Sequence, residues 1–77
     1  VKETRYFQYT RRRPDRREIL DDWIEAAINT PIAEQVQSDG RLRRWVYIES
    51  VGKYLRVILM PDGETVHNAF FDRGFTP

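Results

Sequence analysis

His67 is the only histidine in the chain and there is no cysteine. A neutral imidazole titrates near pH 7, so His67 has the chemistry to move a proton in phosphodiester cleavage. An ordinary hydrogen-bonded strand histidine is the competing reading. Arg41, Arg43, Arg44 and Arg56 lie close in sequence to Trp45, Tyr47 and Tyr54. Guanidinium groups bind phosphate through paired N–H bonds and stack on bases, so this mixture suits RNA. Equally, these arginines can lie along the aromatic rings and pair with Glu49, Asp62 or Glu64. A third cluster, Arg11, Arg12, Arg13, Arg16 and Arg17, is the densest run of positive charge. An RNA phosphate or an acidic partner would relieve its self-repulsion, and so would Asp15, Asp21 and Asp22.

Net charge is only +1, but it is unevenly spread. Residues 1–17 carry a net +5, residues 18–40 a net −6 and residues 41–77 a net +2. A local basic patch attracts phosphate even when the total is near neutral. Without cysteine there is no disulfide, thiolate metal site or cysteine nucleophile. With one histidine and scattered carboxylates, no metal or other cofactor is expected. Glycine-rich phosphate loops and nucleophile elbows are absent as well. No apolar run approaches the roughly 20 residues of a membrane span. The charged start, Val1 to Arg5, is not followed by an apolar stretch, so a cytoplasmic protein with no membrane partner is expected.

The 77 residues suffice for one domain, 1–77. Tyr6-Phe7-Gln8-Tyr9-Thr10 is β-prone and predicts a short strand or an extended arm. Pro14 keeps Arg13 out of helical conformation. Asp15 and Glu18 have capping-box spacing, which predicts a helix from near Asp15 to Thr30, ended by Pro31. Ile19, Leu20, Trp23, Ile24, Ala27 and Ile28 form its apolar face. Alternation then predicts strands over 32–37, 41–49, 54–60 and 65–71. Ser38-Asp39-Gly40, Ser50-Val51-Gly52-Lys53 and Pro61-Asp62-Gly63-Glu64 mark the turns. The expected fold is α+β: one amphipathic helix packed on a four-stranded antiparallel meander. Leu42, Arg44, Val46 and Ile48 share one face of the second strand, and Arg43, Trp45 and Tyr47 the other. The face taken by Arg56 depends on register.

Several segments together resemble the small bacterial toxin superfamily that includes RelE and BrnT. They are Tyr9-Thr10-Arg11-Arg12, the helix Glu18–Thr30 ending in Pro31, Gln37-Ser38-Asp39-Gly40-Arg41, residues 54–59 and Asn68-Ala69-Phe70-Phe71-Asp72-Arg73. The match in order and length covers most of the chain, with motifs of low specificity. The resemblance implies the toxin of a type II toxin–antitoxin system: a metal-independent endoribonuclease held inactive by an antitoxin protein. His67 would then be acid or base, Arg44 and Arg56 phosphate clamps, and Tyr47 a stacking or relay group. Arg11, Arg12, Arg13, Arg16 and Arg43 would hold RNA. Many relatives place a histidine just before the helix, where this chain has Tyr9-Thr10 and arginines. The alternative is a non-catalytic protein- or RNA-binding module of the same fold.

Overall fold

The computed structural model describes residues 1–77. It is α+β, with two short helices against one antiparallel sheet of order β1-β2-β3-β4. Helix α1 spans Arg5–Thr10 and α2 spans Asp21–Asn29. Strands β1 (Ala33–Val36), β2 (Leu42–Ile48), β3 (Lys53–Leu59) and β4 (Val66–Phe71) follow as a meander. No helix is long and apolar enough to cross a membrane.

The segment expected to be extended, Tyr6–Thr10, is instead α1. Thr4 caps it: its backbone is extended and its hydroxyl oxygen accepts from the Phe7 N–H at 3.2 Å. Phe7 and Thr10, three apart, fall on one side and are buried, while Tyr6 and Tyr9 face outward. Packing against β4 thus outweighs the β-propensity of the aromatic residues. Residues 2–4 also complete the β4 edge, with Val66 bonded to both Lys2 and Thr4.

The second helix starts five residues later than its capping-box spacing suggests, with Leu20 in place of Asp15 as N-cap. Residues 11–18 form successive turns, closed by bonds from Arg16 and Arg17 to the Arg13 carbonyl. Asp15 turns towards Arg13 and Arg16 instead of capping a helix. Leu20 is the N-cap without a side-chain bond, and Asp21 and Asp22 offset the positive helix end. The apolar spacing then does what it predicts. Ile24 and Ala27 are fully buried, with Trp23 and Ile28 packed beside them. Thr30 bonds back to the Ala26 carbonyl, and Pro31 blocks continuation.

Register settles the faces. Leu42, Val46 and Ile48 lie with Leu55, Val57, Leu59, Val66 and Ala69 on the helix side. Arg43, Trp45 and Tyr47 lie opposite Ile58, Arg56 and Tyr54 on the second face. Gly40, with φ +89°, turns the β1–β2 hairpin through backbone that other residues rarely adopt. Between Ile58 and Leu59 the pairing shifts: Ile58 faces Asn68 and Leu59 faces Val66. His67 is therefore the extra residue of a bulge, a device that re-aims a side chain.

Candidate RNA-binding and proton-transfer site

Because α1 is a helix, its exposed side gathers residues that an extended arm would scatter. Tyr6 and Tyr9 are 53% and 74% exposed. Tyr9, Arg12 and Arg13 line an open surface cavity of about 450 Å³. Neither Arg5 nor Arg12 has a carboxylate within 4.0 Å, and Arg13 has only the exposed Asp15 at 3.4 Å. Arg11 differs from its neighbours. It bridges Glu3 and Asp21, and its guanidinium lies 4.9 Å from the centre of the Phe7 ring. Arg11 is thus structural, whereas Arg5, Arg12 and Arg13 remain open to an anion.

His67 meets the start of the same helix. Its ring stacks on Tyr6 with centroids 4.9 Å apart and planes 23° from parallel. The Thr4 hydroxyl lies 3.1 Å from Nδ1. Either Thr4 donates to a bare Nδ1, with the ring proton on Nε2, or Nδ1–H donates to Thr4. In both cases Nε2 has no partner within the chain. Burial lowers the imidazole below its ordinary value, and the positive charge of Arg41 adds to this, against the opposing pull of Asp39. The neutral ring therefore dominates at pH 7, oriented at one nitrogen and available at the other. No group of three His, Asp or Glu side chains lies close enough to hold a metal ion.

The sheet arginines are engaged differently. Arg44 faces the helix side, where its Nε donates to Glu34 at 2.6 Å and its Nη1 to the Ile28 carbonyl near the end of α2 at 2.8 Å. Arg56 donates to Asp72 Oδ2 from Nε at 3.0 Å and from Nη2 at 2.6 Å. The Trp45 indole N–H reaches the same oxygen at 3.0 Å, and Gly74 N–H donates to Oδ1. The Trp45 bond, and then Arg56, hold the Asp72 carboxyl below its ordinary range despite burial. Arg56 also lies over Phe70 and Trp45, at 5.0 and 5.5 Å. Asp72 is thus a clamp joining β2, β3 and the C-terminal segment.

The four residues expected to act together do not converge. Tyr47 pairs with Tyr54 at one end of β3, while His67 sits beside Ile58 and Leu59 at the other. Four residues of strand separate Tyr54 from Ile58, roughly 13 Å. Arg44 is on the opposite face from Arg56 and Tyr47. Arg43 donates to Gln35 at 3.1 Å, and its buried Nε has no partner. Arg16 leaves the arm and crosses β4, donating to Asn68 at 2.6 Å and lying 5.2 Å from the Phe70 centroid. Thr4, Tyr6 and Tyr9 join the site although residue type alone does not mark them. Their signal is the Thr4 cap together with the three-residue spacing of Tyr6 with Tyr9 and of Phe7 with Thr10. No protein-family model, curated protein or solved structure matches this chain.

Proposed function

We propose that this chain is a metal-independent endoribonuclease, the toxin of a toxin–antitoxin pair, acting on RNA in the cytoplasm and neutralised by an antitoxin protein. One observation carries the reading: a neutral imidazole with a free Nε2 stacks on the exposed Tyr6 of α1, the helix whose other end leads to Tyr9, Arg12 and Arg13, and neither arginine has a firm carboxylate partner. In this mechanism the RNA backbone lies across Arg12 and Arg13, and bases stack on Tyr6 and Tyr9. In the tautomer whose ring proton sits on Nδ1 and is donated to Thr4, the bare His67 Nε2 takes the proton of a 2′-hydroxyl, whose oxygen attacks the adjacent phosphorus. The P–O5′ bond breaks, leaving a 2′,3′-cyclic phosphate, and the departing oxygen takes a proton from solvent. The arginines stabilise the charge that builds on the phosphorane oxygens.

The test is induced expression together with RNA cleavage by purified protein in the presence of a chelator. Growth should stop, and His67→Ala should cleave about 10²–10⁴-fold more slowly while binding RNA as tightly. Normal growth together with intact RNA would sink the proposal. A second reading, binding without cleavage, is favoured by one fact. Arg44 and Arg56 are committed to Glu34 and Asp72, so neither attends His67. In that case RNA would be bound and left uncut by wild type and His67→Ala alike.

A further inference from the structure

The far end of the sheet carries a second concave site. A cleft of about 270 Å³ lies between the β2–β3 turn and the C-terminal segment. Tyr54, Phe71 and Phe75 supply its walls, and Lys53 and Arg73 stand exposed at it. Phe75 is held in place: it stacks on Trp45 at 4.8 Å and meets Tyr54 edge-on at 5.1 Å. Asp72 also borders the cleft, but its oxygens are taken by Trp45, Arg56 and Gly74. Lys53 and Arg73 have no carboxylate within 4.0 Å, and Lys53 Nζ lies 5.2 Å from the Phe71 centroid. The free charge bordering the cleft is thus positive. An adjoining cleft of about 400 Å³ shares Lys53, Phe71 and Arg73 and is lined as well by Arg16, Asp15 and Glu18.

We propose that this cleft binds one nucleotide unit, its base against the Tyr54 and Phe75 rings and its phosphate between Lys53 and Arg73. A bare anion would have no use for three rings, and an apolar side chain none for two unpaired cations. A flat heterocycle bearing a phosphate uses both. Its source is either a free nucleotide or one nucleotide of a bound RNA. The site is separate from the α1 surface and does not depend on cleavage at His67.

The test titrates the isotope-labelled full chain with AMP, adenosine, inorganic phosphate and a short oligoadenylate, following backbone amide resonances. AMP should shift Lys53, Tyr54 and Arg73 saturably. It should bind about tenfold more weakly to the Lys53→Ala/Arg73→Ala double variant, and equally well to Arg12→Ala/Arg13→Ala. Both cations are exposed, and unchanged dispersion of the remaining resonances shows that the variant is folded. If oligoadenylate displaces AMP, the occupant is a nucleotide of RNA; if AMP binds without being displaced, it is a free nucleotide. Phosphate or adenosine binding as tightly as AMP overturns the proposal. So do shifts confined to α1, or no saturation with either AMP or oligoadenylate.

Discussion

Arg44 and Arg56, on the sheet, each hold a carboxylate at 2.6 Å, whereas Arg5 and Arg12, on and just after α1, hold none. The two groups share a residue type and differ in what surrounds it. Glu34 sits opposite Arg44 in the β1–β2 register, and Asp72 follows the end of β4 beside Arg56. The Arg56–Asp72 pair is partly buried, with Asp72 11% exposed, so loss of either partner leaves a charge with little access to water; in the other pair Arg44 is shielded while Glu34 stays exposed. The arm has only two acidic residues among its first seventeen, and Arg11 takes one of them, Glu3. Apart from Arg16, which bonds Asn68 and lies over Phe70, its remaining guanidiniums stay solvated, contribute little to stability and are open to a ligand. A cluster of arginines in sequence therefore says little about function until the carboxylates have been assigned.

The largest effect should come from the locked side. Asp72→Ala removes the carboxylate that accepts four N–H bonds from Trp45, Arg56 and Gly74, and should cost about 2–3 kcal/mol. In a domain of this size that is a fall in Tm on the order of 10 °C. Adding Arg56→Met should recover part of the loss, because the stranded charge goes with it. Below the lowered melting temperature, RNA affinity at the α1 surface, followed at the α1 amides, should match wild type. Thermal unfolding by circular dichroism and a binding titration check the two halves. A weakened affinity in folded Asp72→Ala would put Arg56 back among the ligand-binding residues and break the contrast.

The free side predicts the reverse pattern. Arg12→Ala/Arg13→Ala should leave stability within about 0.5 kcal/mol of wild type. RNA affinity should fall, and the slope of log affinity against log salt should drop by about 1.4 if each arginine covers one phosphate of a single strand. Affinity measured over a salt series decides this. An unchanged slope would mean that the arm is solvated and uninvolved.

The sheet is largely legible in the sequence. Alternation in 41–49 and 54–60, and the Asp39-Gly40 and Asp62-Gly63 turns, give β2, β3 and their faces to within a residue or so. Those signals are local: a strand's two-residue period and the conformational freedom of glycine. Register is not local, and only pairing of Trp45 with Arg56 places Arg56 beside Trp45 and Tyr47 on the second face. The helices are harder to read for the same reason. The apolar body of α2 follows from its spacing. Its start depends on Asp15 finding Arg13 and Arg16 more rewarding than the free N–H groups of a first turn. Tyr6–Thr10 has strand-like residue types, yet burying Phe7 and Thr10 against the sheet makes it helical. Pattern alone places His67 on the last strand, but the bulge that brings it to Tyr6 needs β3 as a ruler.

The smallest effect is a test of which side His67 belongs to. An imidazole held by a carboxylate, as Arg44 and Arg56 are held, would be raised above the ordinary 6.5, and its stabilisation would fade as pH rises. Here burial, followed by Arg41, lowers it, with Asp39 as the weaker opposing influence. The unfolded chain then takes up the proton first as pH falls through about 6.5. Stability is at its full value above that pH, declines on the way down to the lower value of the folded state, and levels off below it. Asp62, held at about 2 by the Thr65 hydroxyl and the Glu64 and Thr65 amides, titrates well below this window. The folded chain should show a His67 ring titration below 6.5 by NMR. Urea midpoints should decline from pH 7.5 towards pH 5.5, and His67→Gln should flatten that decline. A titration above 6.5, with stability rising as pH falls, would place His67 among the carboxylate-paired groups and take away the proton acceptor of the proposed cleavage.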